Sequence, residues 1–139
     1  MQRAWASIWP RVEKLMLKQI AEIKVGDPAD FTNFMGAVID RNAYKSIKSY
    51  IDHAKRSKDA KIIAGGGCSD KKGWFIEPTV VLAKKPDFKL LQEEIFGPVV
   101  TIYVYNDKQL DKALDICDKG SPYGLTGAVF AQDREAVIK

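Results

Sequence analysis

The sequence predicts an α/β fold of three layers, in which helices flank a largely parallel sheet. Its 139 residues are about the length of one domain, and 46% hydrophobic with 29% charged residues is typical of a globular protein. Segments whose apolar residues recur every three or four positions indicate helices, and they alternate with short runs of β-branched and aromatic residues that favour strands. Such an alternation is typical of a parallel sheet covered by helices.

The first predicted helix lies near the start of the chain. Its apolar residues recur at steps of three and four from Trp5 onward, and Pro10 suits its first turn, where a missing amide hydrogen costs nothing. Ser7 is the candidate N-cap, and residues 26–28 (GDP) end the helix. Trp5 and Trp9 share the apolar face, so both are expected to pack in the core.

The second predicted helix follows Asp40, whose carboxylate can accept a hydrogen bond from a first-turn amide. Its apolar face consists of Tyr44, Ile47, Tyr50, Ile51 and Ala54. The opposite face is charged and is expected to lie in solvent. His53 adjoins this charged side, and we interpret it as an ordinary surface or boundary histidine.

Extended structure is predicted in the middle of the chain. Residues 61–64 (KIIA) favour a short strand that runs into three glycines at 65–67. Consecutive glycines could expose backbone amides to a phosphate, but no GxGxxG pattern and no following Lys-Ser/Thr is present, which favours a plain turn. Residues 74–82 are expected to be extended, with Pro78 at a sheet edge or a break.

A short helical segment and a central strand are predicted next. Residues 90–95 are expected to make one or two helical turns, which the Gly-Pro pair at 97–98 ends. Val99–Tyr105 is β-branched or aromatic throughout and apolar on both faces. This composition predicts a central strand that is covered on both sides.

The last third of the chain predicts a helix, a strand and a second helix. The first helix spans residues 107–118 and ends at Gly120, and its inward residues are expected to be Leu110, Ala113, Leu114 and Cys117. Residues 127–130 (GAVF) predict a short buried strand, and Asp133 is the candidate cap of a final short helix.

The charge and the cysteine content argue against several functional classes. The chain has 22 Lys and Arg against 18 Asp and Glu, a net charge of +4, and the basic residues are scattered, so no nucleic-acid partner is expected. One histidine and two cysteines without a CxxC pair predict neither a metal site nor a disulfide scaffold. No apolar run approaches the length of a membrane span, and the first residues lack the apolar run of a secretory signal.

The most informative motif is EEIFGPV at residues 93–99. Five further motifs occur along the chain, and their order matters for the comparison that follows: VGDP at 25–28, GAVI at 36–39, GG at 65–66, FIEPT at 75–79 and YGLTGAVF at 123–130. In these motifs and in their order, the sequence resembles the aldehyde dehydrogenase superfamily. Within it, GAVID at 36–40, VY at 104–105 and LTGAVFAQD at 125–133 are most similar to the Δ1-pyrroline-5-carboxylate dehydrogenases.

The resemblance implies an NAD-dependent enzyme with a small-molecule aldehyde substrate. That branch of the family oxidises glutamate-γ-semialdehyde to glutamate in proline breakdown, through a cysteine thiolate that attacks the aldehyde and a hydride transfer to NAD. It also implies a homo-oligomer, located in the mitochondrial matrix of eukaryotes or the cytoplasm of bacteria.

The resemblance assigns two cofactor-binding residues. Glu94 would accept hydrogen bonds from the hydroxyls of the nicotinamide ribose, and Phe96 would pack beside that ribose and its ring. The alternative is that Glu94 merely begins a turn and Phe96 fills the core. Glu93 is interpreted as structural.

The family's catalytic groups are absent from the sequence. No Gly-Gln-Xaa-Cys motif occurs, and neither Cys68 nor Cys117 has the context of the nucleophile. The general-base glutamate and the NAD-binding domain are expected before Met1, and the substrate-carboxylate loop and an oligomerisation strand after Lys139. We therefore expect residues 1–139 to be a single partial catalytic domain, truncated at both ends and inactive alone, with no catalytic residue and no metal ligand of its own.

Two other functions stay open at this point. The chain could be a natural, non-catalytic module that binds partners or forms oligomers through its exposed sheet, in which case light scattering should detect a defined assembly. It could also be a phosphate-binding domain that uses the glycines at 65–67, which nucleotide titration would test.

Overall fold

The computed structural model describes residues 2–124 and 127–138. The strands are β1 (Gln2–Trp5), β2 (Ala60–Ala64), β3 (Cys68–Ser69), β4 (Phe75–Ile76), β5 (Thr79–Ala83) and β6 (Val99–Tyr105). The helices are α1 (Trp9–Ala21), α2 (Arg41–Arg56), α3 (Leu110–Lys119) and α4 (Arg134–Ile138), and single 3₁₀ turns form at Lys89–Leu91 and Asp107–Gln109.

A four-stranded sheet in the order β1-β6-β5-β2 forms the centre of the molecule. Strand β6 pairs in parallel with β1 and β5, whereas β2 pairs antiparallel with β5. Strands β3 and β4 form a separate antiparallel pair. The predicted largely parallel sheet, with β6 at its centre, is therefore confirmed.

Helices α1 and α2 cover opposite faces of this sheet. Along β5, Val80 packs in a cluster with Trp9 of α1, whereas Val81 and Ala83 pack with Ala54 of α2. This alternation follows from the period of two along a strand. Each fully buried aliphatic side chain contributes about 1.5–3 kcal/mol, so the two-sided burial of β5 and β6 stabilises all three layers.

Helix α2 forms as predicted. The Asp40 carboxylate accepts a hydrogen bond from the Ala43 amide at 2.7 Å, which satisfies one first-turn donor. The side chains that face the sheet are Tyr44, Ile47, Ile51 and Ala54, all of them buried. His53 is exposed and stacks on Phe88, with ring centroids 5.5 Å apart.

The first helix begins one residue later than a cap at Ser7 predicts, with Pro10 in its first turn as expected, but the inclusion of Trp5 in the helix is wrong. Gln2–Trp5 is a strand, because it pairs with β6, and the helix begins only at Trp9. Ser7 does not cap it: the Ser7 amide donates to the Asp107 carboxylate at 3.2 Å, and the N-cap position is Ile8 without a side-chain hydrogen bond. Trp9 is buried as expected, but Trp5 is 38% exposed.

The predictions for the C-terminal part hold only partly. Residues 127–130 are irregular and exposed, so the predicted buried strand is wrong, and residues 125–126 of that motif lie outside the described residues. In α3, Leu110 and Ala113 face inward, but Leu114 and Cys117 are exposed. The half-buried residue of the next turn is Ile116, three positions after Ala113, so the inward face follows a spacing of three.

The glycine loop is a turn whose amides bond within the protein. Gly65 and Gly66 have φ of +65° and +93°, which other residues rarely adopt. The Gly66 amide donates to the Thr79 hydroxyl at 3.0 Å, and the Gly67 amide donates to the Glu77 carboxylate at 2.9 Å. The Glu77 carboxylate bound to the loop also repels anions, which disfavours a phosphate cradle at these glycines. Pro78 separates β4 from β5, as the predicted break requires.

Two buried threonines on neighbouring strands allow a matched stability test. The Thr101 hydroxyl has no hydrogen-bond partner in the described structure, whereas the Thr79 hydroxyl accepts from Gly66 and donates to the Glu77 carbonyl oxygen. Thr101→Val should raise the free energy of unfolding by about 1 kcal/mol, because it removes an unpaired buried hydroxyl. Thr79→Val should lower the free energy of unfolding by about 1–3 kcal/mol, because it removes both of these hydrogen bonds. Urea unfolding of the chain measures both, and a destabilising Thr101→Val would contradict the assignment.

Asp107 should make part of the stability depend on acidic pH. Hydrogen bonds from the Ser7 hydroxyl and amide lower the pKa of the Asp107 carboxyl below its usual range. A group with a lowered folded-state pKa stabilises the fold above its unfolded pKa of about 3.9 and loses that contribution as the pH falls. We expect Asp107→Asn to be less stable than the parent chain at neutral pH, with the difference shrinking below about pH 4. Denaturant unfolding at several pH values checks this, and a constant difference would be contrary evidence.

Candidate functional site

The candidate site is the segment of residues 93–98, hereafter the corner segment, which leads from the Lys89–Leu91 turn into β6. The sheet holds the end of this segment, because the Thr79 amide of β5 donates a hydrogen bond to the Pro98 carbonyl oxygen at 2.8 Å. A local turn adds a second hydrogen bond, from the Val99 amide to the Gly97 carbonyl oxygen at 2.7 Å. The segment therefore leaves the core at a defined point beside the two central parallel strands.

Two residues of the corner segment make contacts with helix α2 and the core beside it, although Glu93 itself is exposed. Ile95 is half-buried and packs against the core clusters that contain Ala54 and Ile47. The Glu93 carboxylate accepts a hydrogen bond from the Tyr50 hydroxyl at 2.6 Å, which raises the pKa of Tyr50. Glu93 is thus tied to helix α2, in agreement with its structural interpretation.

The two predicted cofactor residues lie on the outside of the same segment. Glu94 is exposed and makes no hydrogen bond or ion pair with any described residue. Phe96 is 87% exposed. Phe96 therefore does not fill the core of the described chain, and the Glu94 carboxylate is available to a ligand.

The backbone at the corner has an unusual conformation. Phe96 has φ of +50°, a left-handed conformation that is rare for a bulky side chain and costs about 1–3 kcal/mol. The next residue, Gly97, packs directly on α2, since a Cβ there would lie 2.6 Å from Ile47 Cδ1. A strained backbone of this kind persists only where the surrounding contacts hold it in place, and such positions cluster at binding sites.

The residues that follow α3 contact the residue just before the corner segment. The Ser121 hydroxyl donates to the Gln92 carbonyl oxygen at 3.2 Å and accepts from the Tyr123 amide at the same distance. Sequence reasoning missed both Ser121 and the hydroxyl of Tyr50. Tyr50 lies 43 residues from Glu93, and its place on an apolar helix face predicts packing rather than a polar contact.

The exposed pair suits a ligand with two neighbouring hydroxyls and a flat ring. An ionised carboxylate only accepts hydrogen bonds, and its two oxygens can receive both donors of a ribose diol. An exposed aromatic face offers apolar contact area beside it. Glu94 and Phe96 are therefore the residues that could hold the nicotinamide ribose of NAD, and their chemistry fits this group.

The cysteines lack the features of a nucleophile. Burial raises the pKa of the Cys68 thiol, the opposite of the shift that activates a thiolate. Cys117 is exposed on α3. In the part of the chain that the structure describes, no three His, Cys, Asp or Glu side chains cluster as metal ligands, and no helix has the length and apolarity to cross a membrane.

A groove of about 510 Å³ lies away from the corner segment, between α1 and the glycine loop. Its lining includes Leu17, Ile20, Ile63, Gly65 and Glu77, and none of its lining residues belongs to the corner. The groove therefore does not contribute to the candidate site.

Known proteins similar to the chain point to one family. The aldehyde dehydrogenase family model matches residues 4–139. The mitochondrial Δ1-pyrroline-5-carboxylate dehydrogenase of Dictyostelium discoideum is 50% identical over 131 residues, which are 94% of this chain and 24% of that protein. The human mitochondrial enzyme of the same name is 46% identical, with 94% of this chain and 23% of that protein covered.

A solved structure agrees with these sequences. The crystal structure of Δ-pyrroline-5-carboxylate dehydrogenase from Mycobacterium tuberculosis bound with NAD superimposes with a TM-score of 0.87 at 38% identity, over 99% of this chain and 25% of that one. The chain thus spans about a quarter of the length of these relatives. The match across nearly all of its residues shows that the chain belongs to the aldehyde dehydrogenase family.

Proposed function

We propose that the chain is part of an NAD-dependent aldehyde dehydrogenase that oxidises glutamate-γ-semialdehyde to glutamate. Similarity to Δ1-pyrroline-5-carboxylate dehydrogenases supports the substrate, and a neighbouring structure bound with NAD supports the cofactor. The observation that carries the proposal is the exposed Glu94 carboxylate, which has no partner among the described residues, two positions before the exposed Phe96 on an anchored segment.

In this proposal, Glu94 and Phe96 position the reacting half of the cofactor. Bound NAD supplies the nicotinamide ring that accepts the hydride. The Glu94 carboxylate accepts hydrogen bonds from the ribose hydroxyls, each worth about 1.5–3 kcal/mol because the acceptor is charged. Phe96 covers one side of the ribose and ring. Together they restrict the distance and the face at which the ring meets the substrate, which is the condition for an efficient transfer.

The remaining chemistry is proposed to come from outside these 139 residues. The pKa of the Cys68 thiol is raised, and the chain lacks the family's Gly-Gln-Xaa-Cys motif, so neither cysteine is assigned as the nucleophile. We propose that residues 1–139 form part of the catalytic domain, and that the nucleophile, the general base and the NAD-binding domain lie elsewhere in the enzyme. The isolated chain should therefore not oxidise aldehydes.

The proposal extends to assembly and location. Several large apolar side chains besides Phe96 are strongly exposed in the described structure: Phe31, Phe34, Ile39 and Phe130. Exposed apolar surface of this kind is typical of a face that contacts other protein segments or subunits, which supports a homo-oligomeric enzyme. The names of the Dictyostelium and human relatives support a mitochondrial location, for which we propose the matrix, and the cytoplasm would apply if the source is bacterial.

A chimeric enzyme tests the proposed role of Glu94. In it, this chain replaces the matching quarter of the Dictyostelium enzyme. The chimera should reduce NAD with glutamate-γ-semialdehyde, and Glu94→Gln should lower kcat/KM for NAD about tenfold, because a neutral acceptor replaces a charged one. Glu22→Gln, at an exposed position at the end of α1, is the matched control and should change kcat/KM for NAD less than about twofold. Unchanged NAD kinetics in Glu94→Gln would overturn the assignment.

A further inference from the structure

We propose that Tyr50 and Glu93 are positioning residues for the cofactor, and that they act by holding the backbone on which Glu94 stands. The inference rests on the proposed function and adds two residues to it. Neither residue would touch NAD. Their hydrogen bond, at 2.6 Å, connects helix α2 directly to the residue before Glu94.

Helix α2 holds the corner segment at two points. Ile47 contacts the backbone of Gly97, and Tyr50 binds the side chain of Glu93. Residues three apart on a helix lie on the same face, so these two contacts come from one side of α2. Glu94 and Phe96 lie between Glu93 and Gly97 along the chain, and both side chains are exposed.

Lys89 completes this arrangement. Its ammonium lies 3.8 Å from the Glu93 carboxylate and 5.2 Å from the centroid of the Tyr50 ring. The ring thus provides a cation–π contact and the hydroxyl provides a hydrogen bond. Removing only the hydroxyl with Tyr50→Phe therefore leaves the ring packing in place and isolates the contribution of the bond to Glu93.

The backbone matters here because Glu94 has no side-chain partner among the described residues. The direction of its carboxylate therefore depends on the backbone and on the ligand alone. A displacement of about 1 Å at a positioning group can reduce a rate about a hundredfold. Freeing Glu93 should let the backbone of the corner segment shift and weaken the contact that Glu94 makes with the ribose.

The test uses the chimeric holoenzyme described above and separates the KM for NAD from the KM for the aldehyde. Tyr50→Phe should raise the KM for NAD about three- to tenfold and leave the KM for the aldehyde unchanged, since one hydrogen bond is lost at the cofactor side only. Glu93→Ala should have the same effect, whereas Glu93→Gln, which keeps an acceptor oxygen, should largely restore the KM.

Tyr44→Phe is the matched control. Tyr44 is on the same helix, but its hydroxyl makes no hydrogen bond with a described residue. This variant should leave both KM values unchanged. Tyr50→Phe should also keep the melting temperature of the chain within about 5 °C of the parent, which shows that a kinetic change does not come from unfolding.

The Glu94→Ala background decides whether Tyr50 acts through Glu94. Tyr50→Phe should then have no additional effect on the KM for NAD, because the group that it positions is gone. An equal increase in that background, or no increase in the Glu94-containing enzyme, would overturn the positioning role while leaving the proposed function intact. An inactive parent chimera in which the Dictyostelium enzyme itself is active would overturn both.

Discussion

The placement of the corner segment between helix α2 and the central strands is the constraint on which the rest of the account depends. The Pro98 carbonyl oxygen accepts a hydrogen bond from the first residue of β5, Gly97 lies against Ile47, and the Glu93 carboxylate accepts one from Tyr50. The segment has little freedom between these points, and it carries Phe96 in a left-handed conformation. The energy that keeps this conformation comes from the two-sided core, because α2 and the sheet bury the apolar residues that fix their relative position.

The elements that could be predicted from the sequence are those that local chemistry determines. Asp40 and the apolar spacing after it define α2, since a capping carboxylate and a helical period act within a few residues. Strand β6 was predictable because an apolar run on both faces has few stable places other than the middle of a sheet. The EEIFGPV motif and the resemblance it carries suggested Glu94 and Phe96 as candidate cofactor residues, and both side chains are exposed on one anchored segment.

The elements that could not be predicted depend on distant partners. Gln2–Trp5 becomes a strand because β6, about 100 residues later, offers it a free edge, and this pairing outweighs the helical period around Trp5. The Ser7 amide bonds to Asp107 for the same reason. The hydrogen bond from Tyr50 to Glu93 could not be predicted, because Tyr50 lies on the apolar face of α2 and its partner is 43 residues away.

A crystal structure of the chimeric enzyme with NAD would show whether Glu94 binds the nicotinamide ribose. We predict that both carboxylate oxygens of Glu94 lie within about 2.5–3.0 Å of the hydroxyl oxygens of the nicotinamide ribose, with the Tyr50–Glu93 bond intact. A complex in which the Glu94 side chain turns away from the cofactor, or pairs with a protein cation while other residues bind the ribose, would contradict the account.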